Sequence, residues 1–156
     1  MGNACHSKRS NRHKVQTRPY RSPEVILGAS FDSSADIWST ACTVFELATG
    51  ELLFESEKTH HLSRNEVHLG RIVEVLGQFP KTLINGKYFS KYFNKSGRLS
   101  RIRVKQTVPL LKMLINERWE PTLAKSFADF LLPMLEIDPK KRVSAIDCLS
   151  HQWLNT

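Results

Sequence analysis

Between Ser33 and Gly50, apolar residues fall at Ile37, Ala41, Val44, Phe45 and Ala48, the recurrence of one face of an α-helix. Trp38, Cys42 and Leu47 widen that face until little of the circumference is polar, which predicts a helix in the middle of the protein. Ser33 or Ser34 is placed to cap it, Asp36 lies in its first turn, and Gly50 is placed to end it. Asp36 is the anomaly, since a carboxylate buried without donors costs several kcal/mol.

The rest of the pattern is also helical. Ser63-Arg64-Asn65-Glu66 reads as a capping box, opening a helix that carries Val67, Leu69, Ile72, Val73 and Leu76 and stops at Gly77. A third helix is expected from Thr122 to Glu136, with Phe127, Phe130, Leu131, Met134 and Leu135 inward and Pro133 bending it or ending it early. Ser144 and Asp147 cap a last short helix. Thr17 to Gly28 reads as a loop, set by Pro19 and Pro23, running into a short helix. No alternating strand pattern recurs, so the fold class is mainly α.

Two stretches lack periodicity. Residues 1–16 read as an irregular basic arm, and 17–156 as one folded unit with a basic insert at about 78–118. In the insert, Tyr88, Phe89, Tyr92 and Phe93 are interleaved with Lys87, Lys91 and Lys95. That pattern suits either a segment anchored to a core by its rings, the reading preferred here, or a single-stranded nucleic-acid binder.

Charge sharpens this division. The net charge is +8, yet residues 22–57 carry seven acids and no Lys or Arg, whereas 81–118 carry ten Lys or Arg against Glu117 alone. Such a basic stretch is a solvated surface or attracts nucleic acid, anionic lipid or an acidic protein. The cysteines, Cys5, Cys42 and Cys148, are odd in number and far apart, which predicts reduced thiols and a cytoplasmic or nuclear location. No apolar run is long enough to span a membrane. Gly2 and Cys5 sit where lipids attach, but His6 occupies the position where that motif wants Ser or Thr.

Candidate chemistry is sparse. There is no Gly-rich phosphate loop, nucleophile elbow or metalloprotease motif. His60, His61 and His68 lack companions at metal-ligand spacing and are expected to be exposed imidazoles, so no metal site is expected. Arg18 and Arg21 flank Tyr20 as a phosphate or carboxylate receptor would require.

Three motifs, in order, resemble the C-terminal lobe of eukaryotic protein kinases. Thr17-Arg18-Pro19-Tyr20-Arg21-Ser22-Pro23-Glu24 resembles the end of the activation segment, and Asp36-Ile37-Trp38-Ser39 the opening of the central helix. Asp138-Pro139-Lys140-Lys141-Arg142 with His151-Gln152-Trp153 resembles the end of the lobe. Phe45 to Gly50, Phe130 to Glu136 and Trp153-Leu154-Asn155 are most similar to the serine/threonine kinases that phosphorylate arginine–serine-rich splicing factors.

The resemblance implies a truncated helical kinase lobe and assigns roles. Glu24 would pair with Arg142, Asp36 would accept bonds from a catalytic loop, and Trp38 would be structural. Thr17, Arg18, Tyr20, Arg21 and Glu66 would face the substrate. ATP and Mg²⁺ serve the complete family member; the aspartate that holds Mg²⁺, the Gly-rich loop and the catalytic loop have no counterpart here. This chain alone is therefore expected to bind no cofactor and to be inactive. The stretch His60 to Val67 keeps only Glu66 of the acids that dock basic substrates in this family, making arginine-rich docking doubtful. The expected partner is a protein substrate or a kinase; the alternatives are a non-catalytic adaptor and a basic RNA-binding module.

Overall fold

The computed structural model describes residues 15–154, without the side chain of Ile84. Residues 1–14, with the candidate lipid sites and most of the basic arm, lie outside the described residues. Seven α-helices occur among the described residues: α1 (Pro23–Leu27), α2 (Ser34–Thr49), α3 (Arg64–Leu76), α4 (Phe89–Tyr92), α5 (Leu110–Asn116), α6 (Pro121–Met134) and α7 (Ala145–Leu149). Short 3-10 turns at Arg18–Tyr20, Lys81–Asn85 and Gln152–Leu154 complete them. The only pairing of strand type described is one antiparallel bridge, Phe93 to Leu99.

α2 packs on α6 and on the Arg18–Tyr20 turn, and α5 runs against α6. Trp38, Ala41, Cys42 and Phe45 of α2 are buried with Phe127, Leu131 and Met134 of α6 and Leu110 and Leu114 of α5. Gly50 ends α2 in the left-handed region (φ 79°), which its lack of a Cβ allows. Ser33 stands at the N-cap position but its side chain makes no capping bond; the Asp32 carboxylate just before it accepts the Ser34 N–H at 2.8 Å. A negative charge suits that position because the first N–H groups of a helix are unpaired and point towards it.

α2 is less enclosed than its composition predicts. Asp36, Thr40, Thr43 and Leu47 share one face, and all are exposed, Leu47 to 83%. Thr40 and Thr43 meet their hydrogen-bonding needs by donating to the carbonyls of Asp36 and Ser39 at 2.8 and 3.0 Å. The apolar face that counts is the one set by Trp38, Ala41, Cys42 and Phe45; Leu47 does not extend it.

α3 opens with the expected capping box: the Ser63 hydroxyl accepts the Glu66 N–H, and the Glu66 carboxylate accepts the Ser63 N–H at 2.8 Å. His68 departs from expectation. Its spacing with Ile72 and Val75 puts it on the buried face, and the ring is fully enclosed, whereas His60 and His61 are exposed. It stacks on Phe54, which stacks on Trp38, with ring centres 5.8 and 5.3 Å apart.

α6 ends at Met134, one residue past Pro133, whose carbonyl accepts the Val143 N–H at 3.2 Å. α7 has its Ser144–Asp147 capping box. The insert is anchored by its rings: Phe89, Tyr92 and Phe93 are buried, and Phe89 stacks on Phe93 at 4.6 Å. Its first turn comes so close to α1 that a Cβ on Gly86 would lie 2.8 Å from the Leu27 carbonyl oxygen. The same carbonyl accepts the Tyr88 N–H at 2.8 Å. α5 was not expected. Pro109 followed by Leu110, Leu111, Met113 and Leu114 carries its signal, but the run is too short to stand out from its irregular surroundings.

Candidate functional site

The loop from Gln16 to Ser22 lies across the first turns of α2, and Gln16 fixes it there. Its side-chain amide donates to the Ala35 carbonyl at 2.7 Å and to the Ser39 hydroxyl at 2.9 Å. Its side-chain oxygen accepts the Ser22 N–H at 2.9 Å and the Ser22 hydroxyl at 3.3 Å. Gln16 has φ 65°, a left-handed backbone uncommon for a residue with a side chain, and these bonds hold it there. Ser39 also donates to the Tyr20 carbonyl at 2.8 Å. Arg21 closes the loop from within, donating to the carbonyls of Val15 and Gln16 at 3.2 and 2.8 Å.

Side chains then tie the loop to its surroundings. The Tyr20 hydroxyl donates to Glu46 at 2.7 Å, and that bond, aided by burial, raises the phenol's pKa. Arg18 donates to the Asn65 side chain at 2.6 Å, and Asn65 donates to the Tyr92 hydroxyl at 3.0 Å, so loop, α3 and α4 form one chain of contacts. Thr17 is exposed, with its carbonyl accepting the Tyr20 N–H at 3.1 Å. Arg18 and Arg21 bond only neutral acceptors among the described residues, so neither guanidinium has a carboxylate counter-ion. Their charges reach His68: burial first, then Arg18 and Arg21, bring its pKa down to about 3. The ring is neutral at ordinary pH, and neither nitrogen has a partner among the described residues.

Beneath the loop, Glu24 and Arg142 meet as the resemblance implies. The guanidinium grips both carboxylate oxygens, at 2.8 and 3.0 Å, with both side chains fully buried. Arg142 also donates to the carbonyls of Ser34 and Glu136 at 2.9 Å each and lies over the Trp38 ring, 5.2 Å from its centre. A planar fork with five donors suits this four-way junction; a lysine could not reproduce it. The turn that presents Arg142 is fixed by Asp138, whose carboxylate accepts from Thr82 and from the Lys140 N–H at 3.0 and 3.1 Å. Asp36 is exposed at the start of α2 and takes no part.

Glu66 is placed differently from an available docking acid. Both its oxygens are engaged, one by Ser63 and the other by Arg101 of the insert at 3.1 Å. Burial alone would raise its pKa, but Ser63 and Arg101 outweigh it and hold the carboxyl below its ordinary range. Gln16, Ser39 and Asn65 do most of the positioning, and the sequence reading assigned none of them a role. Ser39 lies within the Asp36–Ser39 motif and was recoverable from it; Gln16 and Asn65 carry no local signal.

The protein kinase domain matches residues 1–154. The chain belongs to the protein kinase family. It is 45% identical to SRSF protein kinase 3 of Homo sapiens over 157 residues, 99% of this chain and 28% of that protein. It is 44% identical to the serine/threonine-protein kinase SKY1 of Saccharomyces cerevisiae, covering 99% of this chain and 21% of that protein. Identity to protein kinase dsk1 of Schizosaccharomyces pombe is 40%, over 99% of this chain and 29% of that protein. The kinase chain thus spans between a fifth and a third of the length of these relatives. The branch suggested by Phe45 to Gly50 and Phe130 to Glu136, the SR-protein kinases, is the one found. Complete kinases use ATP and Mg²⁺. Among the described residues no group of three His, Cys, Asp or Glu is arranged to hold a metal ion.

Proposed function

We propose that this chain is the substrate-facing and scaffolding part of a serine/threonine kinase that phosphorylates serines of arginine–serine-rich splicing proteins, acting in the cytoplasm or nucleus. The observation that carries the reading is the pre-organised ledge at Gln16–Ser22, pinned to α2 by Gln16 and Ser39 and underpinned by the buried Glu24–Arg142 pair. Positioning of this kind is most of what a protein contributes to phosphoryl transfer, apart from charge neutralisation at the phosphates. The residues present supply the positioning. They carry no Gly-rich phosphate loop or catalytic-loop motif, so no nucleotide step is assigned to them, and the chain alone is expected to be catalytically silent. Arg18 and Arg21, without counter-ions among the described residues, favour an acidic or phosphorylated residue near the acceptor serine. Glu66, already held by Ser63 and Arg101, contributes little to docking of an arginine-rich segment.

The test is a hybrid in which this chain replaces the matching segment of human SRSF protein kinase 3. Phosphorylation of an arginine–serine peptide is expected to persist with a raised KM, because the acidic docking residues are reduced to a neutralised Glu66. A hybrid that folds and binds ATP yet transfers no phosphate overturns the proposal. The RNA-binding reading loses its stacking surface, since Phe89, Tyr92 and Phe93 are buried and only Tyr88 of the four rings is exposed.

A further inference from the structure

A groove of about 540 Å³ lies between α3 and the segment after the Phe93–Leu99 bridge, lined by Val73, Leu99, Ile102 and Val104 with Arg98, Arg101 and Arg103. Its wall is the run Arg101-Ile102-Arg103-Val104-Lys105, in which basic residues are exposed and apolar ones half-buried, alternating one by one. That is the period of a β-strand with one face on a core. The wall is fixed to α4 at one end, and to α3 at the other end and in the middle. The Ser100 N–H donates to the Tyr92 carbonyl and the Val108 N–H to the Glu74 carbonyl, each at 2.8 Å. Between them Ile102 packs on Gly70, so closely that a Cβ there would lie 3.0 Å from it.

Two features of this wall have no use within the described residues. First, the backbone N–H and C=O groups of residues 101–107 make no hydrogen bonds to other described residues, unlike those of a strand in a sheet. Second, its positive charge is unbalanced. The two acids of α3 that could balance it are occupied, Glu66 by Arg101 and Glu74 by Arg71. Arg98, Arg103 and Lys105 have no side-chain partner among the described residues.

We propose that this groove binds an acidic peptide, added as a strand along Arg101–Lys105, with its carboxylates or phosphates on Arg98 and Arg103. Strand addition supplies the missing backbone partners, while alternate side chains enter the apolar floor at Val73, Leu99, Ile102 and Val104. Guanidinium forks bind carboxylate and phosphate bidentately, which makes arginine the suitable residue at the rim. A peptide fits better than a single-stranded nucleic acid because the neighbouring rings Phe89, Tyr92 and Phe93 are buried and cannot stack on bases. The proposal does not depend on phosphoryl transfer, since it concerns binding alone.

Fluorescence anisotropy of the whole chain with a labelled peptide of alternating Glu and Val tests it, alongside the same peptide with phosphoserine for Glu and an oligouridylate of equal charge. Both peptides are expected to bind, more weakly as salt is raised. Arg98→Ala with Arg103→Ala should weaken binding about tenfold or more. Lys81→Ala with Lys112→Ala removes as much charge outside the groove and should change binding less than about twofold. Amides of residues 101–107 should gain protection from hydrogen exchange when peptide is added. Preference for one peptide over the other identifies the anion as carboxylate or phosphate, and either supports the site. Binding of the oligouridylate but of neither peptide overturns the proposal. So does an equal loss in the Lys81/Lys112 variant, or binding without protection of residues 101–107.

Discussion

Removing either partner of the buried Glu24–Arg142 pair should be costly. Arg142→Ala strips the Glu24 carboxylate of both donors seen in the structure and also frees the carbonyls of Ser34 and Glu136. Glu24→Ala leaves a buried guanidinium with two carbonyls and the Trp38 face. Breaking a buried pair on one side costs about 3–5 kcal/mol, against at most about 1 for an exposed pair. The double variant should lose much less than the sum of the two, because neither charge is then left buried without its partner. Denaturant melts of wild type, both single variants and the double variant give the coupling energy. Additive losses of a few tenths would refute the reasoning.

Asp36→Asn should change stability by no more than about 1 kcal/mol, since the side chain is exposed at the start of α2 and only its interaction with the helix dipole changes; a loss above about 2 in denaturant melts would reveal a buried partner. His68, whose pKa falls from 6.5 to about 3 on folding, contributes stability that is complete above pH 6.5 and lost as pH falls towards 3, because the unfolded chain takes up the proton first. His68→Leu should reduce the slope of stability against pH in that window by up to about 1.4 kcal/mol per unit, and an unchanged slope in melts would contradict the burial. The isolated chain should show no saturable Mg-ATP binding at about micromolar concentrations, and a clear calorimetric isotherm would overturn the view that these residues hold no nucleotide.

How much of this was legible in the sequence depends on the range of the interaction concerned. The bounds of α2 and α3, the start of α7, and the end of α6 just past Pro133 were readable because capping boxes, Gly stops and Pro act within four residues. The kinase motifs were readable because each is a short run, and they led to the correct family. Helical spacing could have placed His68, which falls on one buried face with Ile72 and Val75, but it is read from the sequence as an exposed imidazole, and that expectation fails. Some features have no local trace. Gln16 bonds residues 19 and 23 positions away, Arg18 a residue 47 away, Arg101 one 35 away, and Arg142 one 118 away. The opening of one face of α2 and the neutralisation of Glu66 by the insert belong with these. A pattern of apolar and polar positions says which side of a helix prefers a core, but not which chain segment arrives to cover it. That was decided by packing between elements distant in sequence, and it sets the charge and the free backbone of the Arg98–Val104 groove.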